Sequence, residues 1–164
     1  MSKRSGFTLI ELLLAMAILV ILSSAAISSL FGYQSKSDLD YSTKTIVDSL
    51  RLAQSRSVSG KDFKRWGVYF DDINGKFVIF AEKNEGQGYA TAETKEESSL
   101  PASLKIDTIS LNGEGKEIIF NRYQGDTGQY GTYNADNVAI IIKSDSSGNK
   151  NNIIVTPIGR IDSE

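Results

Sequence analysis

The sequence predicts an α+β fold in which one long N-terminal helix packs on an antiparallel β-sheet. Residues 7–22 are apolar except Thr8 and Glu11, and the apolar residues from Leu39 to Ala53 recur at helical spacing. No proline interrupts the chain up to Gly60. Beyond Gly60 they follow a period of two, between turns rich in glycine and asparagine. The pattern predicts an apolar helix half over residues 7–31 and an amphipathic half over residues 32–59. Residues 60–164 are predicted as a β-rich head that forms one domain with residues 32–59.

The composition limits the chemistry open to this chain. The 164 residues include 18 Lys and Arg against 20 Asp and Glu, with no cysteine and no histidine. This near-neutral balance argues against a bulk nucleic-acid binder, which needs a basic face. The usual thiolate, the usual general base and the usual zinc ligand are all missing. We therefore expect no cofactor, no metal and no catalytic residue, although carboxylate or Ser–Lys chemistry stays open.

The N-terminal segment is basic at its start and apolar beyond it. Lys3 and Arg4 precede the apolar run, and the positive-inside rule places this end in the cytoplasm. As a helix, residues 7–31 extend roughly 37 Å, enough to cross a hydrocarbon core of about 30 Å. A secretory signal peptide, a plain single-pass anchor and a leader cleaved at Gly6 all fit. Glu11 argues against the first two, because a carboxylate costs on the order of 3 kcal/mol at mid-membrane depth.

The stretch "GFTLIELLLAMAIL" resembles the N-terminus of type IV pilins and type II secretion pseudopilins, the class III leader family. The shared pattern is a short basic leader that ends in glycine, here residues 1–6, followed by phenylalanine and by a glutamate four residues further on. The resemblance implies that a prepilin peptidase cuts between Gly6 and Phe7 and methylates the new Phe7 amine. It also implies the pilin fold, a single-pass precursor in the inner membrane with its head outside the cytoplasm, and later a cell-surface or periplasmic filament.

The same resemblance implies a role for Glu11 in assembly. The family's usual proposal pairs this acid with the α-amine of a neighbouring subunit, although Phe7 lies one helical turn away and its own amine is also within reach. The implied partners are the prepilin peptidase, other pilin or pseudopilin subunits, the inner-membrane assembly platform and membrane lipids. The implied function is a structural subunit of a type IV pilus or type II secretion pseudopilus, not an enzyme. The alternatives are a filament-tip binding module for DNA or a secreted substrate, and, less favoured, an exported enzyme.

The amphipathic half of the helix is predicted to end near Ser59–Gly60. One apolar stripe is predicted to face the sheet, and it comprises Leu39, Ile46, Val47, Leu50 and Ala53. The polar residues predicted to point away are Lys44, Asp48, Arg51 and Gln54. A fresh helix capped within Ser35–Asp38 is the alternative to one continuous helix.

The head is predicted to contain six strands. They are Trp66–Phe70, Lys76–Ala81, Leu104–Leu111, Lys116–Arg122, Asn137–Lys143 and Asn152–Pro157. The first two form a hairpin whose Asp and Asn residues suit a turn better than a calcium loop. The run "VAIII" predicts a central strand covered on both faces. Between Asn84 and Pro101 we expect an exposed loop with a solvated acidic patch, made by Glu93, Glu96 and Glu97.

The rest of the head resembles H-type minor pseudopilins and fimbrial T-type minor pilins. The similar stretches are "LRLAQSRSVSGK", "IIFNRYQGDTGQYGT" and "NIIVTPIGRID", and they imply a minor subunit with a C-terminal motif at Gly159 and Arg160. Some relatives used in DNA uptake carry a second arginine where this chain has Asp162, and a carboxylate there repels phosphate, which makes DNA binding doubtful. Tyr123, Tyr130 and Tyr133 are expected either at a contact surface or at the edge of the core.

Overall fold

A computed structural model describes residues 6–110, 115–127, 138–145 and 147–164, without the side chains of residues 25–31, 94 and 138. The chain divides into two compact units, Met1–Gln34 and Ser35–Glu164. Helix α1 (Leu9–Val58) contributes residues to both. The prediction of one continuous helix is confirmed, and the alternative of a fresh helix at Ser35–Asp38 is wrong. Among the described residues, no helix is both long enough and apolar enough to cross a membrane.

The second unit contains eight described strands in two antiparallel sheets. The strands are β1 (Trp66–Asp71), β2 (Lys76–Ala81), β3 (Thr94–Ser99), β4 (Leu104–Ser110), β5 (Glu117–Phe120), β6 (Val138–Ser144), β7 (Lys150–Val155) and β8 (Ile161–Ser163). One sheet has the order β3-β2-β1-β5 and the other β4-β6-β7-β8. The α+β class is confirmed, but the single predicted sheet is wrong. Periodicity identifies strands without revealing which strands pair.

The predicted hairpin is confirmed almost to the residue. Trp66 pairs with Ala81 and Asp71 with Lys76, so the register runs the full length of both strands. At the turn, the Asp71 carboxylate accepts hydrogen bonds from the backbone N–H groups of Ile73 and Asn74, at 3.2 and 3.1 Å. The carboxylate oxygens are therefore used in turn geometry, as the sequence indicated.

The prediction of an exposed acidic loop is wrong in part, because this region contains strand β3. This strand pairs with β2 and forms an edge of the first sheet. The three glutamates do not form a free acidic patch, because Glu93 bonds to Lys64, Glu96 to Arg56 and Glu97 to Lys76. A charged edge strand of this kind discourages pairing with other chains. The polar composition led to the wrong prediction because edge strands need little apolar surface.

One hydrophobic core joins the α1 stripe to both sheets. Four of the predicted stripe residues, Leu39, Ile46, Leu50 and Ala53, are at most 1% exposed, and Val47 is also buried. Strand β6 is central, as predicted, and its Ile140 and Ile142 are fully buried. Ala139 and Ile141, on its other face, are only half-buried. The prediction that β6 is covered on both faces is therefore correct for one face and only partly correct for the other.

Candidate functional site

Gly6 and Phe7 lie in exposed, non-helical backbone immediately before α1. The Phe7 side chain is 84% exposed. No atom outside its chain neighbours comes within 4 Å of the Cβ position at Gly6. The peptide bond between these residues is therefore open to an approaching enzyme and is not held in a helical hydrogen bond.

Thr8 and Glu11 together define the start of α1. The Thr8 hydroxyl oxygen accepts a hydrogen bond from the Glu11 backbone N–H at 3.3 Å, and the Thr8 carbonyl accepts one from Leu12 at 3.2 Å. Thr8 thus occupies the N-cap, and Glu11 stands at the third helical position, where a capping box carries its acid. A carboxylate in the first turn also complements the positive end of the helix dipole. The hydrogen bond to Thr8 uses the Glu11 backbone, while the Glu11 side chain is exposed.

The first helical turns present apolar side chains on every side. Twelve large apolar residues between Phe7 and Leu22 are 49–84% exposed: Phe7, Leu9, Ile10, Leu12, Leu13, Leu14, Met16, Ile18, Leu19, Val20, Ile21 and Leu22. A helix that is apolar all round belongs in lipid or among other helices. This segment therefore requires cover from outside the chain.

Of the C-terminal pair, Gly159 packs closely within the head, whereas Arg160 lies at the surface. Gly159 has a positive φ of 82°, and a Cβ there would collide with the carbonyl oxygen of Gly125. The Gln54 side-chain amide donates to the carbonyl oxygens of both glycines, at 2.7 Å each. Arg160 pairs with Asp162 at 2.7 Å. The prediction that Gln54 points away from the head is wrong, because its amide satisfies two loop carbonyls.

Comparison with known proteins supports the prediction of a methylation motif at the N-terminus. Residues 1–27 match the family model described as the prokaryotic N-terminal methylation motif. The fold matches that of the minor pseudopilin EpsH from the type 2 secretion system of Vibrio cholerae. The match has 11% sequence identity and a TM-score of 0.56, and it covers 77% of this chain and 96% of that chain. This chain thus combines an N-terminal methylation motif with a fold that it shares with a minor pseudopilin.

The head has an exposed pair of aromatic residues, of which only Tyr123 was expected from the sequence; the two are called the aromatic cluster. Phe63 and Tyr123 are 77% and 60% exposed, and both have positive φ angles, 53° and 67°. Arg122 links them, because its guanidinium donates to the Phe63 carbonyl oxygen at 2.6 Å and lies 5.4 Å from the centre of the Tyr123 ring. The sequence signal was Phe63 itself, a lone aromatic residue inside the charged run "KDFKR".

Some predicted features of the chain lie outside the described residues. These are the leader residues Lys3 and Arg4, most of the turn at 112–115, and the two tyrosines Tyr130 and Tyr133. Of the three expected tyrosines, the structure places only Tyr123, at the surface.

Proposed function

We propose that this protein is a structural subunit, of the minor type, in a type IV pilus or a type II secretion pseudopilus. The precursor enters the inner membrane with its head outside the cytoplasm. A prepilin peptidase removes residues 1–6 and methylates the Phe7 amine. The assembly platform then transfers the subunit from lipid into a filament in which other pilin or pseudopilin subunits surround its apolar segment.

The observation that carries this proposal is the uncovered apolar surface between Phe7 and Leu22. Burying one such Leu or Ile side chain contributes about 1.5–3 kcal/mol relative to water, so exposure of the whole segment to water would be very unfavourable. Lipid covers the segment before assembly, and neighbouring helices cover it afterwards. Because lipid is as apolar as leucine, the hydrophobic effect does not favour the filament over the membrane. Side-chain packing and polar pairs therefore decide whether the subunit moves from lipid into the filament.

Glu11 supplies the polar pair in this proposal. It lies in the first turn of α1, four residues beyond Phe7, whose amine exists only after cleavage. A carboxylate among apolar side chains is stabilised when a cation meets it, and removal of the cation leaves a costly unpaired charge. Cleavage therefore creates the partner that lets Glu11 enter a helix bundle and fix the register of the subunits.

Two measurements test the processing and the pairing separately. The mass of the mature chain is expected to correspond to a start at Phe7 with one added methyl group. Glu11→Leu is expected to insert in the membrane and be cleaved but to be lost from filaments, whereas the neighbouring control Leu13→Ile assembles. A mature start near Ala26 would contradict the processing, and normal assembly of Glu11→Leu would contradict the pairing.

The minor role and the weak prospect of DNA binding have their own support. The fold likeness to a minor pseudopilin favours a subunit present in few copies. Quantitative mass spectrometry of purified filaments would test this by comparing its amount with that of the most abundant subunit.

Arg160, the cation of the C-terminal tail, is already paired with Asp162. A gel-shift titration with the purified chain is therefore expected to show no DNA complex at physiological salt.

A further inference from the structure

A cleft opens beside the aromatic cluster at the end of the head where α1 finishes. Its volume is about 250 Å³, and Phe63 and Arg122 stand on its wall with Lys83. This is smaller than the range of about 300–1,000 Å³ that is typical of small-molecule sites. The size suits one or two side chains of a docked polypeptide rather than a cofactor.

One buried arginine lies between the two carboxylates that line the cleft. Arg65 lies 2.7 Å from Glu82 and 3.8 Å from Glu85, and the side chains of Arg65 and Glu82 are only 7% and 1% exposed. Glu82 also accepts the backbone N–H of Gly88 at 2.9 Å. Glu82 is therefore part of the supporting structure, whereas Glu85 is 66% exposed. The lining as a whole is still basic, because it has four basic side chains, Lys64, Arg65, Lys83 and Arg122, against these two acids.

Two cations of the cleft have no carboxylate within ion-pairing distance among the described residues, although Lys83 is one of the charges that lower the pKa of Glu93. Within the described part of the chain, neither Lys83 nor Arg122 forms an ion pair. One guanidinium nitrogen of Arg122 is used by the Phe63 carbonyl oxygen, which leaves its other nitrogen donors available. An arginine of this kind suits a carboxylate, which it binds through two parallel hydrogen bonds.

The backbone at Phe63 is strained in a way that exposes the ring. Asp62 and Phe63 have consecutive positive φ angles of 57° and 53°, a region that residues with a side chain rarely occupy. The Phe63 N–H donates to Gly60 at 2.9 Å, and together with the Arg122 bond this holds the conformation. Strained residues cluster at functional sites, and here the strain presents an aromatic ring to solvent instead of the core.

We propose that this cleft docks an acidic segment of another protein that carries an apolar side chain. A carboxylate of the segment pairs with Arg122 and Lys83, and the apolar side chain packs on Phe63. Aromatic and arginine side chains dominate the binding energy of protein interfaces, which this cluster matches in composition. The inference concerns the head alone and goes beyond the role in assembly, since it does not depend on cleavage at Gly6 or on Glu11.

The test titrates the full chain in detergent micelles with the peptide acetyl-Asp-Glu-Phe-Glu-Asp-amide and follows backbone amides by NMR. Shifts are expected at residues 61–65, 82–85 and 122–123. The double variant Lys83→Glu/Arg122→Glu is expected to weaken binding about tenfold. Lys83→Glu alone is expected to give part of this loss, and it leaves the Arg122 contacts to the Phe63 loop intact.

The matched control is Lys44→Glu/Arg51→Glu, which changes the net charge equally at exposed positions of α1 outside the cleft. It is expected to retain binding. Equal weakening by this control, or equal binding of a peptide with lysine in place of its acids, would overturn the proposal. Tighter binding of single-stranded DNA through the same residues would also overturn it. Chemical-shift changes of these residues that depend on protein concentration without peptide would overturn it as well, because they would indicate a second copy of the chain as the occupant.

Discussion

The side-chain amide of Gln54 donates a hydrogen bond of 2.7 Å to the carbonyl oxygen of Gly159, more than one hundred residues away in the sequence. The same nitrogen also donates to the Gly125 carbonyl oxygen. Gln54→Ala would leave two partly buried carbonyls without this donor, so we expect the free energy of unfolding to fall by about 1–3 kcal/mol. Urea denaturation measures the change. The exposed neighbour Ser55→Ala is the control, and an equal effect there would contradict the role of Gln54.

Gly159 is expected to be the glycine of the head that least tolerates a side chain. Gly159→Ala would place a Cβ against the Gly125 carbonyl oxygen at a positive φ, which we expect to destabilise the head by about 2 kcal/mol or more. Gly148 shares the positive φ, at 69°, but has open space around its Cβ position. Gly148→Ala therefore isolates the cost of φ from the cost of the collision. Equal melting temperatures for the two variants would show that the collision is relieved by small shifts.

The buried pair of Arg65 and Glu82 is expected to behave differently from the exposed ion pairs. Replacing only Arg65 with Met leaves a carboxylate that is 1% exposed without its cation, a change that costs about 3–5 kcal/mol in comparable sites. The double variant Arg65→Met/Glu82→Leu should recover most of that loss. The control pair is Lys105 and Asp145, 67% and 43% exposed, whose coupling should not exceed about 1 kcal/mol. Similar coupling energies in the two double-mutant cycles would refute this difference.

The Thr8 cap is expected to control fraying at the start of α1. Thr8→Ala removes the hydroxyl that accepts the Glu11 N–H, and loss of an N-cap costs about 1 kcal/mol. Hydrogen exchange at the Glu11 amide, measured in micelles, should become about fivefold faster. Thr8→Ser keeps the hydroxyl and should exchange as the natural chain does. If serine and alanine gave the same rate, the cap would have no energetic role.

Asp71 is expected to make the head sensitive to acid. Hydrogen bonds from the side chain and backbone of Asn74 lower the pKa of Asp71 from its ordinary value of 3.8. A lowered pKa means that the folded state prefers the charged carboxylate, so this stabilisation is present above about pH 4 and disappears as the pH falls through the lowered pKa. Urea midpoints from about pH 7 to about pH 2 should therefore converge for the natural chain and Asp71→Asn. A constant difference across this range would exclude the effect.

The elements with a strong local pattern were predictable from the sequence. The α1 stripe repeats with the helical period, and the β1–β2 hairpin has alternating apolar residues around a turn that ends in Asn74-Gly75. Strand β3 was missed because its residues, "TKEESS", are all polar and an edge strand depends on its neighbour for hydrogen bonds. The short strand β8 was missed for the same reason, since only Ile161 of its three residues is apolar.

The candidate sites divide in the same way. The cleavage pair Gly6–Phe7 and the acid Glu11 were found because their signal is a fixed spacing within a few residues. The N-cap at Thr8 has a signal of the same short range, a threonine three residues before a glutamate. The cleft could not be found in this way, because Phe63, Lys83 and Arg122 come from three segments that are far apart in the sequence.

By itself, the sequence determined the long helix, the β-rich head, the leader pattern and the excess of apolar residues over residues 7–22. These properties follow from the order of neighbouring residues, since helix and strand periods and turn chemistry act over a few positions. Tertiary structure alone decided that the glutamates of β3 are paired, that Gln54 joins two distant loops, and that Phe63 faces solvent at a cleft that Lys83 and Arg122 also line. Each depends on groups from distant parts of the chain, which only the packing of the head brings together.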